Sequence, residues 1–287
     1  MDFRIQKIER TDFPSQLLEI PQIPESLYIV GEKLDPEAFY LCVIGSRNNT
    51  TYGKDVCQRL ISGLAGSPII IVSGLALGID TIAHRSAMKA GLKTISFPGS
   101  GLSEKVLYPA SNLSLAKEIL ASGGTLISEF EPSFKATRWS FPRRNRIMAG
   151  ICHAVLIIEA GEKSGTLITT RLALDYNREV FSVPGPITSP NSMGSNELIR
   201  QGATPVCESK HILEFFGLVE DTENFTKSLP LDLSDEELQI LELLNESRSR
   251  DDIIDEFDVP THEVNILLSA MEIKGLIKEE YGEIRRI

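Results

Sequence analysis

The sequence predicts an α/β protein with a doubly wound, mostly parallel Rossmann-like sheet and a small C-terminal winged-helix domain. From Tyr40 onward, short β-branched runs alternate with segments of helix length. The runs are apolar throughout and lack the alternation of a half-exposed strand, which is typical of strands buried on both faces of a parallel sheet. A sheet of this class binds ligands at the carboxyl ends of its strands.

Residues 40–217 form the predicted Rossmann-like domain. Its strands are predicted at 41–45, 69–74, 93–97, 125–129, 154–160 and 179–185. Its helices are predicted near 53–65, 78–90, 111–121, 143–151, 165–176 and 195–201. Residues 1–39 precede this domain, carry four prolines, and are predicted to form an extended lead-in with little regular structure.

The C-terminal part is predicted to begin with a polar linker, residues 218–232, followed by a winged-helix domain, residues 233–287. Ser234 is a suitable N-cap for a first helix, because apolar residues follow it at helical spacing. Helices at 251–257 and 261–274 and a β-like tail at 276–287 complete a set of three helices and a hairpin.

The net charge of −11 is unevenly distributed along the chain. Residues 41–217 carry a net charge of +5, whereas residues 1–40 carry −4 and residues 218–287 carry −12. A mildly basic body with acidic ends is compatible with a polyanionic partner, because local fields outweigh the charge of the whole chain at a binding surface.

The four cysteines lie far apart and show no CxxC spacing, so we interpret them as reduced thiols and predict no metal site. No apolar run reaches the roughly 18 residues that a membrane span requires, and the N-terminus is charged. We therefore expect a cytoplasmic protein without membrane association.

Four of the predicted strands end in glycine-bearing loops, which expose backbone N–H groups to an anion. The first loop is Gly45-Ser46-Arg47, whose arginine presents a planar donor fork to phosphate. A tight turn with a solvated arginine is the alternative. The other loops contribute candidate DNA contacts at Ser73, Gly74, Gly99, Gly101, Lys105, Lys163, Ser164, Gly165 and Thr166. Together the loops predict a groove for several phosphates along one edge of the sheet.

Aromatic and basic residues are interleaved between Phe130 and Arg146. Unpaired bases stack on aromatic rings while basic residues follow the phosphate backbone, so this pattern is typical of single-stranded nucleic-acid binding. The candidates from this stretch are Trp139, Phe141, Arg143, Arg144, Asn145 and Arg146. The alternative is that the rings belong to the core and the arginines form ion pairs with Glu129 and Glu131.

Asp80 and His84 are spaced to share a helix face, where a carboxylate and an imidazole can form a general-base pair. No nucleophile accompanies them in the sequence, so the preferred interpretation is a structural hydrogen bond that fixes the loop. We predict no catalytic residue, no cofactor and no enzymatic activity.

Seven segments of the chain resemble the DNA-processing protein A family, also called DprA or Smf. They are VIGSRNNTTYG (43–53), IVSGLALGIDTIAHRSAMKAG (71–91), YPASN (108–112), ISEF (127–130), FPRRNRIMAG (141–150), EAGEKSGTLITTRLAL (159–174) and VFSVPGPI (180–187). The resemblance covers roughly residues 35–217 and is dense.

This resemblance implies a Rossmann-like homodimer that binds single-stranded DNA. It also implies loading of the RecA recombinase onto that DNA, with displacement of single-strand-binding protein, during natural transformation and without catalysis. Arg47 matches a DNA contact of the family. The family often has a basic residue directly after its Tyr-Pro pair, but Ala110 occupies that position here, which puts one phosphate contact in doubt.

A second interpretation is a nucleotide-binding Rossmann protein related to the phosphoribohydrolases that release cytokinins. Those enzymes have a PGGxGTxxE segment in which the last glutamate is catalytic. Thr169 stands at the corresponding position here, which counts against hydrolysis. A third interpretation is a scaffold whose winged helix recruits a partner protein.

Overall fold

The computed structural model describes residues 4–162, 164–219, 234–244, 247–257, 260–274, 276–280 and 282–286. The chain divides into two compact units, Met1–Glu220 and Asp221–Ile287. The first unit contains the predicted sheet, and the described residues of the second contain three helices and a small sheet of their own.

Nine strands among the described residues form the sheet of the first unit. They are β1 (Gln6–Glu9), β2 (Ser26–Gly31), β3 (Phe39–Ile44), β4 (Ile69–Ser73), β5 (Thr94–Ser96), β6 (Thr125–Ser128), β7 (Ala154–Ile157), β8 (Glu179–Ser182) and β9 (Thr204–Pro205). Their order across the sheet is β1-β2-β6-β5-β4-β3-β7-β8-β9. The seven strands β3 to β9 run parallel to one another. The predicted fold class, an α/β protein with a mostly parallel Rossmann-like sheet, is confirmed.

Helices cover both faces of this sheet. They are α1 (Ser15–Leu18), α2 (Thr51–Ser62), α3 (Ile79–Lys89), α4 (Leu113–Ala121), α5 (Ser140–Ile151), α6 (Thr166–Asp175), α7 (Met193–Arg200) and α8 (Ser209–Phe215). Cys42 and Ile44 of β3 enter one apolar core with α1, α5 and α6. Leu41 and Val43 enter the other with α2, α3 and α8. Because β3 is buried on both faces, its sequence is apolar without alternation.

The order in which strands are added to the sheet changes side at β3. This strand pairs in parallel with β4 on one side and with β7 on the other. The strands β4, β5 and β6 extend from it in one direction, and β7, β8 and β9 extend in the other. The loops that leave the carboxyl ends of β3 and β7 therefore diverge and leave a crevice, which is the usual ligand position in such sheets.

The prediction that residues 1–39 lack regular structure is wrong. β1 pairs with β2, and β2 pairs antiparallel with β6, so the lead-in forms one edge of the sheet. Leu17 and Ile20 also enter the core beside α5. Leu27 and Ile29 of β2 are buried in one core, and Val30 is buried in another on the opposite face. β2 lies inside the sheet between β1 and β6, and the surrounding prolines obscure it in the sequence.

The described elements of the second unit are α9 (Asp235–Leu243), β10 (Arg248–Ser249), α10 (Arg250–Ile254), α11 (Thr261–Ile273), β11 (Ile277–Glu280) and β12 (Glu283–Arg286). Ser234 is the N-cap of α9, as expected, and forms a capping box with Glu237. β12 pairs with both β10 and β11 in an antiparallel sheet. This content is consistent with a winged helix, an assignment that stays a prediction.

Within the described residues, no helix is both long and apolar enough to cross a membrane. The same residues contain no group of three or more His, Cys, Asp or Glu side chains arranged to hold a metal ion. Cys42, Cys57 and Cys152 are buried, Cys207 is exposed, and all four are free thiols.

Candidate nucleic-acid interface

A cleft of about 830 Å³, called the first cleft below, opens at the carboxyl ends of β3 and β7. Its walls are the loop after β3, the loop after β7 with the first turn of α6, and the N-terminal half of α5. It therefore lies where the strand order reverses, which is the position expected for a ligand of this fold.

The first cleft brings together residues from three of the predicted segments. The predicted DNA contacts that line it are Gly45, Ser46, Arg47, Phe141, Arg144, Asn145, Ser164, Gly165 and Thr166. Lys163 was predicted together with this group and lies outside the described residues. The first segment is more than 90 residues from the other two in sequence, so only the fold places all three around one cavity.

The lining of the first cleft is positively charged. Its charged residues in the described chain are Arg47, Arg138 and Arg144, opposed by Asp80 alone, which gives a net charge of +2. The whole chain carries −11. The cleft is thus a local basic site on an acidic protein, and such a site attracts a polyanion despite the overall charge.

Phe141 contacts a cation and a second aromatic ring in the first cleft. Cζ of Arg47 is 5.7 Å from the centre of the Phe141 ring, and the Tyr108 ring centre is 5.7 Å away on a plane inclined by 60°. Gly99 makes room for this ring, because a Cβ at that position would overlap it. Phe141 is therefore held in place with an aromatic surface at the cleft.

The glycine-bearing loops after β4 and β5 are filled by α5 and by the chain ahead of it. A Cβ on Gly74 would overlap the guanidinium group of Arg144, and a Cβ on Gly101 would overlap the backbone ahead of α5. Ser73 is fully buried, and its hydroxyl donates to a carbonyl oxygen of β3 at 2.7 Å. Ser73, Gly74, Gly99 and Gly101 are thus buried against other parts of the protein, and their predicted contact with DNA stays a prediction.

Arg144 and Asp80 are neighbouring opposite charges buried at the floor of the first cleft. Nη1 of Arg144 donates to the first carbonyl oxygens after β4 and β5, and Nε donates to the side-chain oxygen of Asn145 at 2.9 Å. Asp80 accepts from the N–H groups of Gly74 at 3.1 Å and Ala76 at 3.2 Å. These loop N–H groups are thus satisfied within the protein. Burial raises the pKa of Asp80 and lowers that of Arg144, and each charge opposes the shift of the other.

Arg143 and Arg146 both pair with Glu129, which agrees with part of the alternative interpretation from the sequence. Nε of Arg143 lies 2.9 Å from the carboxylate, and Nη2 of Arg146 also donates to it. The side chains of Arg146 and Glu129 are 8% and 9% exposed, whereas that of Arg143 is 52% exposed. Arg146 also donates to the carbonyl group of Gln22 in the lead-in. These contacts give Arg146 a structural role, and its predicted contact with DNA stays a prediction.

A second cleft of about 960 Å³ adjoins the first. It lies between residues 21–26 of the lead-in, the start of α5 and one side of α6, and Trp139, Arg143 and Arg146 line it. Pro142 and Ile168 line both clefts. Lys105 is exposed and lines neither cleft. The predicted contacts are therefore divided between two adjoining cavities.

The acid–base candidates have structural partners. The buried carboxylate of Glu159 accepts from the N–H group at 3.0 Å and from the hydroxyl group of Thr50, the N-cap of α2. The positive end of α2 thus already has a negative partner where nucleotide-binding Rossmann proteins place a phosphate. His84 bonds to Thr94, whereas Asp80 accepts from two N–H groups of the loop after β4, so the structural hydrogen bond expected to fix this loop is made by Asp80 and not by His84.

Tyr108, Arg138 and Asn191 are among the residues that line the first cleft and were not predicted as DNA contacts. Arg138 lies in the aromatic–basic stretch, so the sequence pattern could have predicted its place in the cleft. Tyr108 is 48% exposed beside Phe141. Asn191 reaches the cleft from the loop after β8 and donates to the carbonyl group of Asn48 at 3.0 Å, a placement without a sequence signal.

Residues 4–217 match the family model described as DNA recombination-mediator protein A. The chain belongs to this family. The resemblance drawn from the seven sequence segments is thereby confirmed, and the matched range spans nearly all of the first unit, including the lead-in strands and both clefts.

Two relatives of the family are identical to this chain at more than a third of the aligned positions. Protein Smf of Escherichia coli (strain K12) is 38% identical over 283 residues, which is 96% of this chain and 75% of that protein. DNA processing protein DprA of Bacillus subtilis (strain 168) is 38% identical over 208 residues, which is 72% of this chain and 69% of that protein. The similarity to the Escherichia coli protein extends into the second unit.

Solved structures of the family have the same fold. DNA processing protein A from Streptococcus pneumoniae superposes with a TM-score of 0.68 at 36% identity, covering 75% of this chain and 74% of that chain. DNA processing protein A from Helicobacter pylori, described for its single-stranded DNA binding mode, gives a TM-score of 0.66 at 31% identity. The match covers 75% of this chain and 96% of that chain.

Proposed function

We propose that this chain binds single-stranded DNA in the first cleft, with little preference for sequence. The observation that carries the proposal is the contact of Phe141 with Arg47 and Tyr108 in a cleft whose described lining contains three arginines and one carboxylate. Aromatic surface takes an unpaired base, and the neighbouring cations take phosphate. The single-stranded DNA binding described for the Helicobacter pylori relative supports the same assignment.

The cleft supplies separate positions for phosphate and base. Arg47 and Arg138 are exposed and line the cleft, so both are available to phosphate oxygens. The first turn of α6 begins beside them at Thr166, and the positive end of a helix dipole favours an anion. None of these groups distinguishes one base from another, because phosphate contacts and stacking are independent of sequence.

Bound strands are then delivered to the RecA recombinase, with displacement of single-strand-binding protein, during DNA uptake and natural transformation. The description of the family as a recombination mediator supports this step. The acting form is a homodimer in the cytoplasm, which would place two first clefts on one DNA strand. The protein acts by binding and not by catalysis, because Glu159, Asp80 and His84 are all engaged in structural hydrogen bonds.

Binding is tested by fluorescence anisotropy with oligo(dT), a blunt duplex of the same length and a free nucleoside monophosphate. The expected order of affinity is oligo(dT), then duplex, then nucleotide. Equal affinity for the duplex would refute the stacking argument. Tighter binding of the nucleotide would favour the nucleotide-binding alternative, and base release that disappears in Asp80→Asn would overturn the assignment as a non-enzyme.

Delivery is tested by following RecA filament formation on single strands coated with single-strand-binding protein. The wild-type chain is expected to shorten the delay before filaments form, and Arg47→Ala is expected to lose this effect in proportion to its loss of DNA affinity. An unchanged delay with wild-type protein that binds the strand normally contradicts RecA loading and leaves DNA binding in place.

A further inference from the structure

The second cleft shares a wall with the first at the start of α5. Pro142 and Ile168 line both cavities, so a strand that leaves the first cleft over these two side chains enters the second directly. Ile168 is 48% exposed and therefore presents an apolar surface at this crossing point. The relationship between the clefts depends on the proposal that the first one binds single-stranded DNA.

Trp139 presents a fixed aromatic surface in the second cleft. Its ring contacts Phe130 and Phe134 at centroid distances of 5.6 Å and 5.4 Å, with interplanar angles of 76° and 61°. These contacts hold the indole in place, yet Trp139 remains 53% exposed. Large apolar side chains are costly to expose unless another surface covers them, and a fixed exposed indole is well suited to stacking.

The charges of the second cleft differ from those of the first. Its described lining contains Arg143 and Arg146, opposed by Glu25, Glu129 and Asp175, so its net charge is −1. Both arginines are already paired with Glu129. A wall of this charge does not attract phosphate groups, whereas an uncharged base meets no electrostatic penalty there.

We propose that the second cleft is a base subsite for the same DNA strand, in which an unpaired base stacks on Trp139 while the phosphates stay with the arginines of the first cleft. The strand crosses Pro142 and Ile168 between the two positions. The site accepts any base, because stacking on an indole uses the π-face that every base has. Strands long enough to occupy both clefts bind more tightly than strands that fill only the first.

Trp139 is the single tryptophan of the chain, so intrinsic fluorescence reports on this subsite alone. The experiment titrates the full chain with oligo(dT) from about 4 to about 16 nucleotides, the range of footprints of single-strand-binding folds. Anisotropy of labelled oligonucleotide measures binding, and tryptophan emission measures stacking. Short strands are expected to bind without quenching, and longer strands are expected to quench the emission and to bind more tightly.

Variants separate stacking from a general change in emission. Trp139→Leu is expected to remove the gain in affinity of the longer strands, about fivefold to about 150-fold for one stacked base, and to leave the short strands unaffected. Trp139→Phe retains an aromatic face and is expected to keep most of the gain. Phe215→Leu is the matched control, because Phe215 is an exposed aromatic residue, at 44%, that lines neither cleft.

The outcomes distinguish the subsite from the proposed function. Binding that depends on Arg47 without quenching at any length, or equal length dependence in Trp139→Leu and wild type, overturns the base subsite and leaves the first cleft as the DNA site. Failure of every strand to bind overturns the proposed function itself. A thermal melt of each variant confirms that the changes act on binding and not on folding.

Discussion

The guanidinium group of Arg47 lies 5.7 Å from the centre of the Phe141 ring. Arg47 leaves the carboxyl end of β3, whereas Phe141 belongs to the first turn of α5, nearly 100 residues later. A cation beside a half-buried aromatic ring offers one position for a phosphate and one for a base at adjacent points of a single strand. This relationship defines the first cleft, and the predictions below begin from it.

Replacing Arg47 with Ala is expected to weaken oligo(dT) binding and to flatten its salt dependence. One lost phosphate contact lowers the slope of log affinity against log salt by roughly 0.7 on a single strand. The measurement is a titration at several salt concentrations. Arg85→Ala is the control, because Arg85 is exposed on α3, pairs only with Glu118 and lines neither cleft. An unchanged slope in Arg47→Ala would place the phosphate site elsewhere.

Replacing Phe141 with Ala is expected to reduce the preference for single strands over duplex. Loss of one stacking surface costs about 1–3 kcal/mol of single-strand affinity, while phosphate contacts to either form remain. The ratio of the two dissociation constants is measured by anisotropy. Phe141→Tyr keeps the ring and is expected to retain the ratio. A ratio that falls equally in Tyr and Ala variants would show that Phe141 supports the cleft without stacking on DNA.

Replacing Arg144 with Ala is expected to destabilise the first unit by about 2–4 kcal/mol. The change leaves carbonyl oxygens after β4 and β5 without a donor and leaves Asp80 buried without its neighbouring cation. The midpoint of thermal or urea unfolding measures this loss. Arg143→Ala is the comparison, since half of that side chain is exposed and Arg146 remains on Glu129. Equal midpoints for the two variants would contradict the structural role of Arg144.

Removing residues 221–287 is expected to leave DNA affinity unchanged or to raise it. The stretch from residue 218 to the C-terminus carries a net charge of −12, which opposes approach to phosphate, so we predict that the winged helix binds a protein partner or is autoinhibitory instead of binding DNA. The cut follows the division between the units and keeps Leu218, which packs on the core of the first unit. A severalfold loss of affinity, measured at the salt concentration used for the full chain, would assign DNA contacts to the second unit.

His84 is buried as a neutral imidazole with one nitrogen satisfied. The hydroxyl of Thr94 donates to the carbonyl group of Ile71 at 2.8 Å, so Nδ1 of His84 is the donor in the 2.7 Å bond between the two side chains. Nε2 is then the unprotonated nitrogen, and it has no hydrogen-bond partner. Burial lowers the pKa of His84 to about 3, because a second proton would be added in an apolar environment, and Arg144 adds to this shift.

This lowered pKa predicts a specific loss of stability in acid. The pKa of His84 is lower in the folded protein than its value of 6.5 in the unfolded chain. The stability that neutral His84 contributes is therefore fully present above pH 6.5 and is lost as the pH falls toward 3. The free energy of unfolding decreases over this range by at most ~5 kcal/mol. The experiment compares the unfolding midpoints of wild type and His84→Gln between pH 3 and pH 6.5. The carboxylates titrate alike in both proteins, so the difference between the midpoints reports on His84. The difference is expected to shrink as the pH falls. A constant difference would mean that His84 titrates normally in the folded protein.

The sequence by itself determined the sheet and the region of the site. Runs such as the one ending at Ile44 are apolar throughout because both faces of β3 are covered, and that local property is visible without the fold. Parallel strands all end at one edge, so the loop at Arg47 was placed correctly relative to the other strand ends. The aromatic–basic stretch likewise contains Phe141, which lines the first cleft.

Only the tertiary structure decided which of these residues are available to a ligand. Gly74 and Gly165 both lie in loops that follow parallel strands, yet the guanidinium group of Arg144, from 70 residues later, fills the space beside Gly74, whereas no described atom would touch a Cβ on Gly165. Arg47 and Arg146 are both arginines near the same edge, yet Glu129 and the lead-in bury Arg146. Local sequence encodes propensity and pattern, whereas availability depends on which distant side chain packs into the same space, and that is settled only when the chain has folded.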